Sequence, residues 1–316
     1  CFTIRLLLHS RIVSLANTLP QSKTATKAAT KIILFFPVYH TRPLIPSIFP
    51  ESKARLPSPL IATPPIFCYN TTQSKQAKKS SGGPIMNTIT IPATYHADLN
   101  LHDTQIAIKT VKDFFQQTLS QKLNLLRVSA PTFVAPESGL NDNLNGVERP
   151  VSFDIKAIEG RNAEIVHSLA KWKRYALKKY GFSHGEGLYT DMVAIRRDED
   201  LDNIHSVYVD QWDWEKIISK EERSMETLKE TVRTIYSVLR KTEKYMAVQY
   251  DYIEEILPKD IFFITTQELL DMYPDCTPKE REYKIVREKG AVFLMKVGKT
   301  LTNGERHDGR APDYDD

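Results

Sequence analysis

The segment His205–Glu215, HSVYVDQWDWE, limits the possible folds more than any other stretch of this chain. Its alternation places Gln211, Asp213 and Glu215 on one face of a strand, with Tyr208, Trp212 and Trp214 on the other. Two neighbouring indoles need an apolar layer behind them, whereas three polar groups need solvent or a ligand in front of them. A second strand, Tyr189–Ile195, precedes the segment, and the acidic run Arg196–Asn203 joins the two. Consecutive strands with so short a link pair antiparallel. The expected class is therefore α+β rather than a doubly wound parallel sheet.

The rest of the body supplies helices to cover that sheet. Asp103 or Thr104 can cap a helix whose stripe runs through Ile106, Ile108, Val111, Phe115, Leu119 and Leu123. A short strand over Leu123–Val128 follows, ended by Pro131. After a loop around Gly139–Gly146, Val151, Phe153 and Ile155 alternate as a strand, and Ser168–Tyr180 reads as a basic helix with Leu169, Trp172 and Ala176 inward. Between Glu221 and Val248, Met225, Leu228, Val232, Ile235 and Leu239 make one buried helical face. Asp260–Ile264 and Ala291–Val297 are strands; Thr265 with Glu268, and Thr277 with Pro278 and Glu280, are helix-start signatures. No internal repeat is visible.

Composition divides the 316 residues in two. Residues 1–85 carry eleven Lys or Arg against one acid, Glu51, together with ten of the eighteen prolines. Such a stretch buries too little apolar surface to offset the entropy of ordering it, so a disordered leader is expected. Met86, the first methionine, sits where the composition changes, and it is read as the native start; an organelle transit peptide is the alternative. Residues 86–316 have a net charge of −6, which argues against a nucleic-acid partner. Cys276 is the one cysteine in this part, so a reducing, cytoplasmic setting is expected and a disulfide framework is not. No window is long and apolar enough to span a membrane.

Arg196, at the end of a strand and followed by Asp198, Glu199 and Asp200, could grip a phosphate bidentately while the acids hold Mg²⁺ or a nucleotide. Read without context, an RRDED run is more often a solvated turn, and Lys173 one charge among Lys171, Arg174 and Lys178 on a helix face. Gly298-Lys299-Thr300 is not a phosphate-binding loop, because Phe293 stands where that motif needs glycine. His184, Glu186 and His205 lack the spacing of a zinc site.

The RxDED turn followed by a QxDxE strand resembles motif 2 of class II aminoacyl-tRNA synthetases, and the helix from Asp103, its strand and Pro131 resemble motif 1. In order and context, QKLNLLRVSAPTF, LNDNLNGVERPVSF, VHSLAKWKR, GEGLYTDMVAIRRDED, HSVYVDQWDWE, QELLDMYPD, GAVFL and RHDGRAPDYDD are similar to ammonia-dependent asparagine synthetase (aspartate–ammonia ligase) over nearly all of residues 105–316. The resemblance implies a class II synthetase-like antiparallel sheet flanked by helices. It also implies a two-step reaction in which aspartate and ATP give a β-aspartyl-adenylate, which ammonia converts to asparagine.

It further implies roles for individual residues. Arg196 would hold the α-phosphate or a carboxylate, Lys173 would be a second positive anchor, and Asp142 would bind or deprotonate ammonium. Gln211, Asp213 and Ser168 would receive aspartate, with Asp213 on its α-ammonium; a helix cap is the other reading of Ser168. Glu199 and Asp315 would lie at the nucleotide. ATP, Mg²⁺ and a homodimer come with the family. The family's closing glycine-rich strand does not follow Arg310, so the C-terminal strands are expected to be missing and the 316-residue chain inactive by itself. An aspartyl- or asparaginyl-tRNA synthetase paralogue and a non-catalytic remnant are the competing expectations.

Overall fold

The computed structural model describes residues 32–34, 97–142, 148–199 and 206–309. All of these belong to one compact unit, Cys1–His40 with Asn87–Asp316, and Asp315 lies outside the described residues. In chain order the elements are β1 (Ile32–Leu34), α1 (Leu101–Leu123), β2 (Leu125–Arg127), β3 (Phe133–Val134), β4 (Ser152–Ile155), β5 (Arg161–Ile165), α2 (Ala170–Lys179), β6 (Gly187–Ile195), β7 (Tyr208–Lys216), α3 (Met225–Gln249), β8 (Phe262–Thr265), α4 (Thr266–Met272), α5 (Pro278–Lys289) and β9 (Ala291–Met295).

The class is α+β, as expected. The pair β6–β7 is antiparallel over nine residues of each strand, with Thr190 opposite Asp213 and Met192 opposite Gln211. β2 joins β6 in parallel, and β3, β5 and β4 form a small antiparallel sheet. β8 and β9 are parallel, because α4 and α5 carry the chain across between them. β1 also runs parallel to β9, so three residues of the basic leader pair with the body; the remainder of that leader lies outside the described residues.

Two apolar clusters enclose the β6–β7 pair. On one side Trp212, Trp214 and Tyr189 pack with Phe115 and Leu119 of α1 and with Val232, Ile235 and Leu239 of α3. On the other, Leu188, Met192, Ala194 and Val209 meet Leu169, Trp172, Ala176 and Leu177 at and within α2. All five residues of β9 are buried, since α3 covers one face of its sheet while α4 and α5 cover the other.

Several local details differ from expectation. Asn100, rather than Asp103 or Thr104, caps α1: its side chain accepts from the Asp103 amide, and Asn124 ends the helix in a left-handed conformation. Ile106 is exposed on α1, so the buried stripe starts at Val111. β3 and β5 were not expected, since neither FV nor RNAEI alternates clearly; pairing in the small sheet holds them. Both capping boxes, Thr265 with Glu268 and Thr277 with Glu280, form.

Candidate active site

Paired residues in an antiparallel ladder share a face, so Leu188, Thr190, Met192, Ala194 and Arg196 stand with Val209, Gln211, Asp213 and Glu215. The three polar residues expected to share a working side of β7 do share it. They are nonetheless buried: Gln211 and Asp213 are each 3 % exposed and Glu215 0 %. The cover is α2, which a sequence periodicity cannot dock.

Lys173 is where α2 meets that face. It is fully buried rather than solvated. Its ammonium donates to Asp213 Oδ1 at 2.7 Å and to the Trp214 carbonyl at 3.0 Å, and it lies 3.4 Å from Glu215 Oε2. The other oxygen of Glu215 accepts from Arg174 Nε at 3.4 Å. A buried ammonium is tolerated only when its protons are satisfied and its charge is matched, and two carboxylates with two cations achieve that. Gln211 Nε2 lies 3.1 Å from Met192 Sδ, a weak acceptor.

Arg196 continues the same face beyond the end of β6. Its backbone amide donates to the Val207 carbonyl, and the turn closes when the Glu199 amide donates to the Arg196 carbonyl. The guanidinium makes one long contact, Nη1 to Glu199 Oε2 at 3.5 Å. Its Nε and Nη2 are buried with no acceptor among the described residues. Buried N–H donors left in that state cost about 1–3 kcal/mol each, and a phosphate or carboxylate oxygen is the group that matches a charged fork. Six residues separate Arg196 from Thr190, so its backbone stands roughly 20 Å along the strand from the Lys173–Asp213 contact. The face therefore has two charged poles, with Gln211 between them in the register.

The remaining expected residues flank these poles. Ser168, 8 % exposed, is not the helix cap, since Leu169 holds that position; its Oγ accepts from the Ala170 amide at 3.3 Å. Asp142 is half-buried and follows Asn141, a buried residue bonded to β5 and to the chain entering α2. Glu199 is on the Arg196 turn. That turn is tied to the segment after the Asp142 loop, because Asp198 accepts from the Arg149 amide and from its guanidinium. Those bonds hold the Asp198 carboxyl well below its ordinary range.

Sequence reasoning missed Asn141, Arg149 and His167. His167 is 1 % exposed; burial above all pushes its imidazole below the usual value, and the charge of Arg196 acts in the same direction. A hydrogen bond to the Arg149 backbone and the charges of Glu148 and Glu164 act against that shift. None of the three stands out by spacing, because what matters is which loops meet. A surface cavity of about 450 Å³ lined by Asp275, Cys276, Lys279, Glu280, Tyr283 and Lys284 shares no residue with the site. Among the described residues no cluster of three or more His, Cys, Asp or Glu could hold a metal ion, and no helix is long and apolar enough to cross a membrane.

A water-excluded strand face with a matched carboxylate–ammonium cluster at one pole and an open guanidinium at the other defines a small-molecule-binding α+β domain suited to a zwitterion joined to an anion. The family model for aspartate-ammonia ligase matches residues 102–316, and the chain belongs to that family. It is 63% identical over 231 residues to an aspartate–ammonia ligase of Ruminiclostridium cellulolyticum, covering 73% of this chain and 69% of that protein. It is 64% identical to the Clostridium perfringens (strain SM101 / Type A) enzyme of the same name over the same shares, and 63% to that of Fusobacterium nucleatum, over 70% and 67%. Among solved structures, an asparaginyl-tRNA synthetase of Entamoeba histolytica bound to asparaginyl-adenylate is 10% identical, with a TM-score of 0.42 over 61% of this chain and 44% of that one. The corresponding Pyrococcus horikoshii complex gives 15% and 0.41, over 61% and 45%.

Proposed function

We infer that this chain forms the aspartate- and phosphate-binding part of an ATP-dependent ligase that makes L-asparagine from L-aspartate and ammonia. The observation that carries the reading is the buried face of β6 and β7. One end matches a zwitterion, with Asp213 for an ammonium and Lys173 for a carboxylate, and the other holds the open Arg196 fork.

In the first step an oxygen of the aspartate side-chain carboxylate attacks the α-phosphorus of ATP; the P–O bond to the β-phosphate breaks and pyrophosphate leaves. Charge builds on the α-phosphate oxygens, and Arg196 meets it with donors already desolvated. In the second step ammonia attacks the acyl carbon, the C–O bond to AMP breaks, and a proton leaves the nitrogen. Asp142 is the residue assigned to bind ammonium or take that proton. Gln211 and Ser168 orient aspartate, while Glu199 and Asp315 belong at the nucleotide. Mg²⁺ enters with the phosphates of ATP, and no step is routed through a protein-held ion. A class II synthetase-like architecture, a homodimer and a cytoplasmic setting complete the reading; they rest on the order of the motifs and on the family.

The test uses the full-length protein carrying this sequence, without tRNA. Aspartate-dependent exchange of labelled pyrophosphate into ATP, and asparagine and AMP formation on adding ammonia, are expected. Arg196→Ala should slow the exchange by ~10²-fold or more. Absence of aspartate-dependent exchange, or exchange that requires tRNA, would overturn the reading.

A further inference from the structure

We propose that Asn141 is a positioning residue for the ammonia-dependent step, fixing the backbone from which Asp142 projects. The proposal rests on the reading above, in which Asp142 handles ammonia.

Asn141 is 6 % exposed, and its amide bonds on both sides. Nδ2 donates to Glu164 Oε2 at 3.2 Å and to the Ile165 carbonyl at 3.4 Å, so one side is anchored to β5. Oδ1 accepts from the His167 backbone amide at 2.9 Å, which ties the other side to the chain entering α2. Its own carbonyl accepts from Lys171 Nζ at 3.3 Å, one turn ahead of Arg174 on the helix that carries Lys173. The loop residue before Asp142 is therefore held to both the β5 strand and α2. The same neighbourhood includes Arg149 and Arg196, whose groups act on His167. Among side chains of this length, only an amide has a donor for Glu164 and an acceptor for His167 at once. Aspartate has nearly the same shape but would turn an acceptor towards the Glu164 carboxylate and the Ile165 carbonyl.

Asn141→Asp and the milder Lys171→Met, at an exposed residue, are compared with the parent and with Asp142→Asn. Pyrophosphate exchange reports the first step and contains no ammonia. Asparagine formation against ammonia concentration reports the second. Expected for Asn141→Asp is a rise in KM for ammonia of ~10-fold or more, the scale of a misplaced reacting group, with aspartate-dependent exchange within about two-fold of the parent. Lys171→Met should move the same constant in the same direction by a smaller factor, and its thermal melting should match the parent. Asp142→Asn should show the same separation between the two assays.

An unchanged ammonia KM in Asn141→Asp overturns the proposal. So does an equal loss in both assays, which marks a structural defect, or an Asp142→Asn variant with normal ammonia dependence. Absence of exchange in the parent protein removes the ligase reading itself, and with it this proposal.

Discussion

Lys173→Met keeps the length of a fully buried side chain and removes its charge. The ammonium it deletes serves Asp213 at 2.7 Å, the Trp214 carbonyl at 3.0 Å and Glu215 at 3.4 Å. Each charge-assisted bond is worth about 1.5–3 kcal/mol, but the parent also bears the cost of desolvating the ammonium, which the variant escapes. Arg174 still faces Glu215, so the carboxylate left without its cation is Asp213. Breaking a buried pair from one side costs about 3–5 kcal/mol, and the remaining arginine places this case near the lower end, ~3 kcal/mol. For a domain of this size that corresponds to a fall in Tm of roughly 6–12 °C. Urea unfolding followed by circular dichroism at neutral pH measures the difference directly. Adding Asp213→Asn to Lys173→Met should restore ~1 kcal/mol or more, because the uncompensated charge goes with it. A Lys173→Met variant within ~0.5 kcal/mol of the parent would refute the buried-cluster reasoning. So would a double variant whose loss is the sum of the two single losses.

Two further predictions follow from local geometry. An added methyl in Gly187→Ala would lie 2.5 Å from the Glu215 carbonyl oxygen and 2.6 Å from Leu125 Cδ2, so the β2–β6–β7 sheet must shift; a loss of ~2 kcal/mol or more in urea unfolding is expected, and parent-like stability would contradict the register. In a carbon-13 titration the exposed Asp198 carboxyl should remain ionised well below its ordinary range, and Arg149→Met should return it to about 3.9. Because this pKa is depressed by folding, the stabilisation it reports is present above the ordinary carboxyl range and is lost as pH falls below it.

Local chemistry was legible from the chain alone. The alternation in β7 separated Trp212 and Trp214 from Gln211, Asp213 and Glu215, and the packing on either side of the strand respects that division. The capping boxes at Thr265 and Thr277, and the α3 stripe, depend on neighbours three or four residues away, so they could be read from spacing. The quoted segments also sufficed to place the chain in its family.

What spacing could not supply was the meeting of distant segments. Lys173 looks like one of several charges on a basic helix until α2 docks across β7 and seals it against Asp213 and Glu215, forty and forty-two positions away. Asn141 looks like any polar loop residue until β5 and the chain entering α2 close on its two sides. β3 and β5 have no pattern of their own, and backbone pairing forms them. The sequence by itself determined which faces are apolar and where helices begin, because propensity, capping and alternation act over a few residues. Only the tertiary structure decided which charges lose their water, since desolvation depends on what packs across a face.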